Sequence, residues 1–148
     1  IKIEILNLKK KILIMKIRII FWIVAISTFI QALPLYLSML SKEFKVMLIG
    51  DVFGENPSSD AIVMFDQFAL VVGLLALGYS FICIGATQFK GLVELRRISF
   101  LLFVFSGFFA LPDLISVIQG NPTAPLPVII LGLVNMALLY YAHKKGVF

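Results

Sequence analysis

Four long apolar runs without Lys or Arg dominate this sequence, at residues 19–40, 61–86, 98–118 and 126–142. An α-helix rises about 1.5 Å per residue, so about 20 residues cross the roughly 30 Å hydrocarbon core of a bilayer. Because lipid cannot satisfy backbone polar groups, each run is expected to be a helix. The runs are continuous rather than alternating, which argues against a β-barrel. We predict an all-α integral membrane protein, a four-transmembrane-helix bundle forming one domain over residues 1–148.

The composition agrees with a membrane as solvent and removes several classes of site. Hydrophobic residues make up 61% of the chain and charged residues 14%, unlike a soluble domain. Cys83 and His143 are the sole residues of their types, which argues against a disulfide framework or an ordinary zinc or haem site. No Gly-rich phosphate loop and no Ser-His-Asp set occurs. The sequence therefore predicts a non-enzyme with no metal and no cofactor, and it allows a bound lipid.

The basic residues predict the orientation of the chain. Of the 13 Lys and Arg residues, six precede the first span, three lie between the second and third, and two follow the fourth. Only Lys42 and Lys45 fall in the outer connection, residues 41–60. Because Lys and Arg accumulate in cytoplasmic loops, both termini are predicted to be cytoplasmic. A basic inner face predicts contact with anionic lipid headgroups rather than with nucleic acid.

Two segments outside the spans carry patterns of their own. Within residues 1–18, apolar residues at helical spacing lie beside a run of lysines, which predicts an N-terminal amphipathic helix at the inner membrane interface. A plain cytoplasmic extension of the first span fits the same residues. The first span is longer than the roughly 7–15 apolar residues of a signal peptide, so we expect it to be retained. Residues 43–53 could form a small helix on the outer surface.

A short motif recurs at an offset of 78 residues. Ala32-Leu33-Pro34 is followed by Ser38, and Ala110-Leu111-Pro112 is followed by Ser116. The echo favours two tandem helical hairpins, and chance in a chain rich in Ala and Leu is the alternative. Proline removes one backbone hydrogen bond from a helix, so kinks are predicted at Pro34 and Pro112.

Small residues at alternating spacings of four and three predict the faces on which the spans pack, since they let membrane helices approach closely. Cys83 belongs to this pattern, which predicts a small buried thiol rather than a reactive one. The predicted packing residues are Ala69, Gly73, Ala76, Ser80 and Cys83 in the second span, Ser106 and Ala110 in the third, and Gly132 in the fourth.

Five polar residues within the spans are the candidates for a binding site: Asp66, Asp113, Gln31, Gln67 and Asn135. A carboxylate at mid-helix costs about 2.5–3.5 kcal/mol to insert, so such residues are functional candidates. If the packing faces point inward, these side chains converge beneath the outer surface. No Lys, Arg or His is expected in the same half of the membrane, so the two acids are expected to lack a cation and to take up or share a proton. Alternatively, the acids are structural: one lies at the water interface and the other satisfies backbone groups of its own kinked helix, or both form interhelical bonds.

The leading hypothesis is a small non-enzymatic membrane protein, an accessory or structural subunit that packs within a larger membrane complex or a homo-oligomer. Small size, thin loops, small-residue faces and the lack of a chemical motif favour it. The alternative is a small carrier or binder of a proton, cation or amphipathic ligand that uses Asp66 and Asp113. Acid–base chemistry on a lipid-like substrate is a third, weaker reading.

Overall fold

A computed structural model of the chain describes residues 15–54, 56–120 and 124–148. In those residues the chain forms five helices: α1 Ile17–Leu40, α2 Lys42–Phe53, α3 Ser59–Ala86, α4 Leu92–Ile118 and α5 Leu126–Lys145. All except α2 are long and apolar enough to cross a membrane. This confirms the prediction that the described residues are all-helical and that four helices are long and apolar enough to span a membrane. Most of the predicted amphipathic helix falls on residues 1–14, outside the described residues.

The helices extend further than the apolar runs. The third span was expected to begin at residue 98, whereas α4 begins at Leu92 and includes Arg96 and Arg97. The apolar run begins only after Arg97. An arginine side chain can reach the headgroups from inside a helix, so the helix itself extends back past both arginines to Leu92. At the start of α3, the hydroxyl of Ser58 accepts a hydrogen bond from the backbone N–H of Ala61 at 3.2 Å. Ser58 therefore caps this helix.

Helix α1 is the centre of the bundle. It packs along α3 on one side and along α5 on another, and α5 packs in turn along α4. Although α3 and α4 are joined by the short connection 87–91, they touch each other only slightly. Helix α2, which directly follows α1 in the chain, lies back against α1. The chain therefore forms a bundle that is not fully closed between α3 and α4.

The larger hydrophobic core lies towards one end of the bundle. Its buried residues come from the first half of α1, the second half of α3, the first half of α4 and the last turns of α5: Ile17, Ile20, Phe21, Val24, Ala25, Tyr79, Cys83, Ala86, Leu95, Leu102, Leu139 and Ala142. A smaller cluster, Ile49, Phe65 and Ala69, joins α2 to α3 at the opposite end. The two ends are therefore packed to different extents.

Backbone and arginine contacts hold the end that contains the larger core. The N–H of Ile17 donates to the carbonyl of Val147 at 2.9 Å. The guanidinium of Arg96 donates to the carbonyl of Gly146 at 3.0 and 3.3 Å. Arg18 donates to the carbonyl of Phe89 at 3.0 Å. The start of α1, the α3–α4 connection, the start of α4 and the residues after α5 thus meet here, and we call this the basic end.

The recurring proline motif has the same local structure in both copies. Pro34 lies inside α1 and Pro112 inside α4, and both helices continue past them. The Ser38 hydroxyl donates to the carbonyl of Leu35 at 2.7 Å, and the Ser116 hydroxyl donates to that of Asp113 at 2.8 Å. Both serines are buried and both bond to the residue that follows the proline. The matched serines therefore play the same part in the two helices.

Candidate functional site

Two polar contacts join α1 to α5. The hydroxyl of Ser27 donates to the side-chain oxygen of Asn135 at 2.7 Å, and Asn135 is buried. Gln31, one turn further along α1, donates its amide to the carbonyl of Val128 at 2.9 Å. A Cβ at Gly132 would lie 3.7 Å from that amide nitrogen, so the glycine sits beside Gln31. Both candidate amides, Gln31 and Asn135, are therefore engaged in helix–helix bonds.

Helices α1 and α3 are joined by hydroxyl groups that donate to backbone carbonyls. The Tyr36 hydroxyl donates to the carbonyl of Gly73 at 2.9 Å, and the Ser80 hydroxyl donates to that of Ala25 at 3.1 Å. A Cβ added at Gly73 would lie 3.1 Å from the Tyr36 ring, which is tighter than an ordinary contact. The close approach of the two helices at this level therefore depends on glycine.

One polar crossing links α3 to α4. The hydroxyls of Tyr79 and Ser106 are 2.6 Å apart and share a hydrogen bond. The Tyr79 ring also stacks on Phe105, with centroids 5.5 Å apart and planes 13° from parallel. An O–H group in hydrocarbon needs a partner, so this crossing satisfies Tyr79 while fixing the register of the two helices.

The predicted packing residues occupy buried or half-buried positions. Ala69, Gly73, Ser80 and Cys83 are buried, while the others, Ala76, Ser106, Ala110 and Gly132, are half-buried. Cys83 is fully buried within the larger core. Its thiol is therefore placed for packing rather than for reaction with a soluble reagent.

Asp66 does have a cation beside it, which corrects the expectation from the sequence. The ammonium of Lys45 lies 2.7 Å from an Asp66 carboxylate oxygen, and the two side chains are 27% and 45% exposed. The expectation was wrong because the sequence pattern does not show how the helix in residues 41–60 packs: α2 lies so that Lys45 reaches Asp66 on α3. Gln67, the next residue, is exposed.

Asp66 and Asp113 lie at different depths. The Tyr79–Ser106 bond sets the level of α3 against α4. Asp66 is 13 residues beyond Tyr79 and Asp113 is 7 residues beyond Ser106 in the same direction. At about 1.5 Å per residue, the two carboxylates differ by roughly 9 Å in depth. This separation is too large for two acids that share a proton, which need to lie within hydrogen-bond reach.

Three residues that organise the site were not among the candidates: Ser27, Tyr79 and Lys45. Tyr79 lies about two turns inside the end of its span, and this position was an available signal because a hydroxyl within the hydrocarbon must find a partner. Ser27 precedes Gln31 by one turn, so the two share a helix face. No local pattern pointed to Lys45, since its partner depends on how α2 folds.

His143, the single histidine of the chain, also makes a contact between helices. His143 Nδ1–H donates to the carbonyl of Arg96 at 3.0 Å, and its ring lies against Phe100. Among the described residues, no buried side-chain nitrogen or oxygen is without a hydrogen-bond partner. Within the same part of the chain, no three His, Cys, Asp or Glu side chains are grouped so that they could hold a metal ion.

The fold and these contacts define a multi-pass helical membrane protein whose interior polar groups join its helices. Comparison with protein-family models, with curated proteins and with solved structures gives no match.

Proposed function

We propose that this protein is a non-enzymatic membrane subunit that associates through α4 with a second membrane helix, in a larger complex or in a homo-oligomer. The polar side chains of the interior support this proposal, because those of Ser27, Gln31, Tyr79 and Asn135 are occupied by helix–helix bonds. Such bonds position helices and leave little for chemistry.

The exposed surface of α4 carries the proposal. In the most apolar stretch of α4, only 11% is buried inside the protein, whereas 33% of the corresponding stretch of α1 is buried. Apolar residues on one face recur at alternating spacings of three and four and are 39–85% exposed; these are Val104, Phe108, Leu111, Ile115 and Ile118, which we call the α4 stripe. This is the spacing at which one helix inserts side chains between those of another.

Photo-crosslinking in intact membranes tests the subunit proposal. A benzophenone amino acid placed at Phe108 or Ile115 is expected to give a discrete protein adduct, because the partner helix lies on that face. The mass of the adduct distinguishes a second copy of this chain from another protein. A second step replaces Phe108 and Ile115 with Ala, which is expected to weaken the association by removing packing contacts.

The matched control is Leu74 on α3, which is apolar and 60% exposed but lies outside the α4 stripe. A benzophenone at this position is expected to label lipid and give no discrete protein adduct. Equal protein labelling at Leu74 and Phe108 would indicate collision rather than an interface. Labelling of lipid alone at all three positions would overturn the proposal.

The carrier hypothesis has less support from the arrangement of the acids. Asp66 is paired with Lys45, and Asp113 lies at a different depth. Asp66→Asn and Asp113→Asn are each expected to leave proton or cation flux in liposomes unchanged. A loss of flux in variants that insert and associate normally would favour the carrier over the subunit.

We also propose that the basic end faces the cytoplasm, with both termini on that side. The described residues there include Arg18, Lys90, Arg96, Arg97 and Lys144, and cytoplasmic loops are the ones enriched in such residues. Reporter domains fused before residue 1 and after residue 148 are expected to be active on the cytoplasmic side only. Activity of the two reporters on opposite sides would refute this orientation.

The burial pattern supports a match between α1 and α4, the first helices of the two hairpins in the tandem-hairpin hypothesis. Positions that align at the offset of 78 residues are buried in both copies: Ile17 with Leu95, Phe21 with Ser99, Val24 with Leu102, and Ser38 with Ser116. A shared burial pattern reaches further along the helix than the three-residue motif, and it agrees with a repeated supersecondary unit.

A further inference from the structure

A groove of about 430 Å³ runs between α3 and α4 on the side where they part. Its lining is almost wholly apolar and includes Tyr79, Gly85 and Ala86 of α3, Phe89 of the α3–α4 connection, and Ile98 and Phe105 of α4. The stacked rings of Tyr79 and Phe105 mark its outer end. The groove follows α3 from Tyr79 to Ala86 and α4 from Ile98 to Phe105, which is about 10 Å of each helix, against about 15 Å for half of the hydrocarbon core. The groove is therefore short enough to lie within one lipid leaflet.

Basic side chains flank the other end of the groove. Lys90 directly follows Phe89 of the α3–α4 connection, and Arg97 directly precedes Ile98, the first lining residue of α4; both basic side chains are exposed. Arg18 adds a third positive charge, because it donates to the carbonyl of Phe89. Glu94 is the acid of this region, and its carboxylate folds over Gly91, where a Cβ would overlap it. Three basic groups against one acidic group leave the mouth positively charged.

We propose that this groove binds one anionic phospholipid of the leaflet at the basic end. An acyl chain occupies the apolar groove up to Tyr79 and Phe105, and the phosphate lies between Lys90 and Arg97. Basic pockets between membrane helices are the places where anionic headgroups bind, and each Lys or Arg near the headgroup contributes about fivefold in affinity. A free phosphate would use the same charges, but it would leave the apolar groove to other lipid chains.

Native mass spectrometry of the detergent-solubilised protein tests this proposal. Dioleoyl phosphatidylglycerol is expected to bind as one saturable equivalent and about 25-fold more tightly than dioleoyl phosphatidylcholine, from two charges at about fivefold each. Arg97→Gln is expected to weaken binding of phosphatidylglycerol about fivefold and that of phosphatidylcholine by less, because the choline cation offsets the charge of its phosphate. Lys145→Gln, which removes an exposed positive charge at the end of α5, is expected to change neither.

A pair of glycine variants tests the groove itself. A Cβ at Gly85 or at Gly78 meets no atom within 4 Å, so both positions accept a side chain. They lie seven residues apart, on the same face of α3, but only Gly85 lines the groove. Gly85→Leu fills the groove and is expected to weaken binding of both lipids at least tenfold. Gly78→Leu places the same side chain two turns further out and is expected to bind as the wild type does.

Equal affinity for phosphatidylglycerol and phosphatidylcholine would overturn the proposal, and so would wild-type lipid binding by Gly85→Leu. Displacement of phosphatidylglycerol by millimolar glycerol phosphate would also overturn it. The last result would assign the mouth to a free phosphate. A photoreactive phosphatidylglycerol gives a test that needs no variant, because it is expected to label residues 79–89 and 98–105. Labelling spread evenly over the four spans would contradict a groove site.

Discussion

Gly146→Ala is expected to destabilise the protein because the basic end has no space for a methyl group. A Cβ at Gly146 would lie 2.3 Å from a side-chain carbon of Ile17 and 2.6 Å from the carbonyl oxygen of Ala142. Ile17 is fully buried and the second atom belongs to the backbone, so neither can move away freely. Overpacking of this kind costs about 1–3 kcal/mol in the free energy of unfolding.

Relieving this clash is also expected to lengthen or break hydrogen bonds of the basic end. The carbonyl of Gly146 accepts from Arg96, and the next residue, Val147, accepts from the N–H of Ile17. Each bond lost adds about 1 kcal/mol or more, so a total loss of about 2–4 kcal/mol is expected. Unfolding by dodecyl sulfate in mixed micelles, followed by fluorescence of the single tryptophan, Trp22 in α1, measures the change.

Gly78→Ala is the matched control for this change. It adds the same methyl group at a position where no atom lies within 4 Å. Its expected effect is between zero and a gain of about 1 kcal/mol, since alanine favours the helix more than glycine does. If Gly146→Ala were as stable as Gly78→Ala, the close packing of the basic end would be refuted.

Three further predictions concern the contacts between helices. In a double-mutant cycle, Ser27→Ala and Asn135→Ala are expected to show a coupling of about 0.6 kcal/mol, the average for an interhelical hydrogen bond in a membrane; zero coupling would mean that the two side chains do not meet. Lys45→Gln is expected to cost at most about 1 kcal/mol at low salt and less at high salt, as for a half-exposed ion pair, and Asp66→Asn should abolish that salt dependence. Tyr79→Phe keeps the ring but removes its hydrogen bond, so a loss of about 0.5–1.5 kcal/mol is expected in the same unfolding assay; an unchanged midpoint would contradict the α3–α4 crossing.

The spans could be predicted because they follow from length and polarity alone. A run such as residues 61–86 must form its backbone hydrogen bonds internally in lipid, whichever helix it packs against. The small residues also indicated a packing face, since the spacing of Gly73, Ser80 and Cys83 depends only on the helix repeat. These features are local, and the helix geometry makes them visible in one sequence.

The partners of the polar residues could not be predicted because they depend on how whole helices lie against each other. Asn135 was expected to join the acids, but the packing of α5 against α1 brings it to Ser27 instead. Asp66 was expected to lack a cation, but the fold of α2 brings Lys45 to it. Rotation and register of a helix change such contacts completely while leaving its own sequence pattern unchanged.

The proposed subunit interface and the proposed lipid groove use different residues of α4, so each proposal can be tested without the other. The lipid groove uses the part of α4 nearest the basic end, from Ile98 to Phe105, whereas the α4 stripe continues beyond the Tyr79–Ser106 crossing to Ile118. Changes at Phe108 should therefore weaken association without changing lipid affinity, and Gly85→Leu should do the reverse. If Gly85→Leu also abolished association, the lipid would be part of the interface, because the inserted side chain itself lies on α3 and outside the α4 stripe.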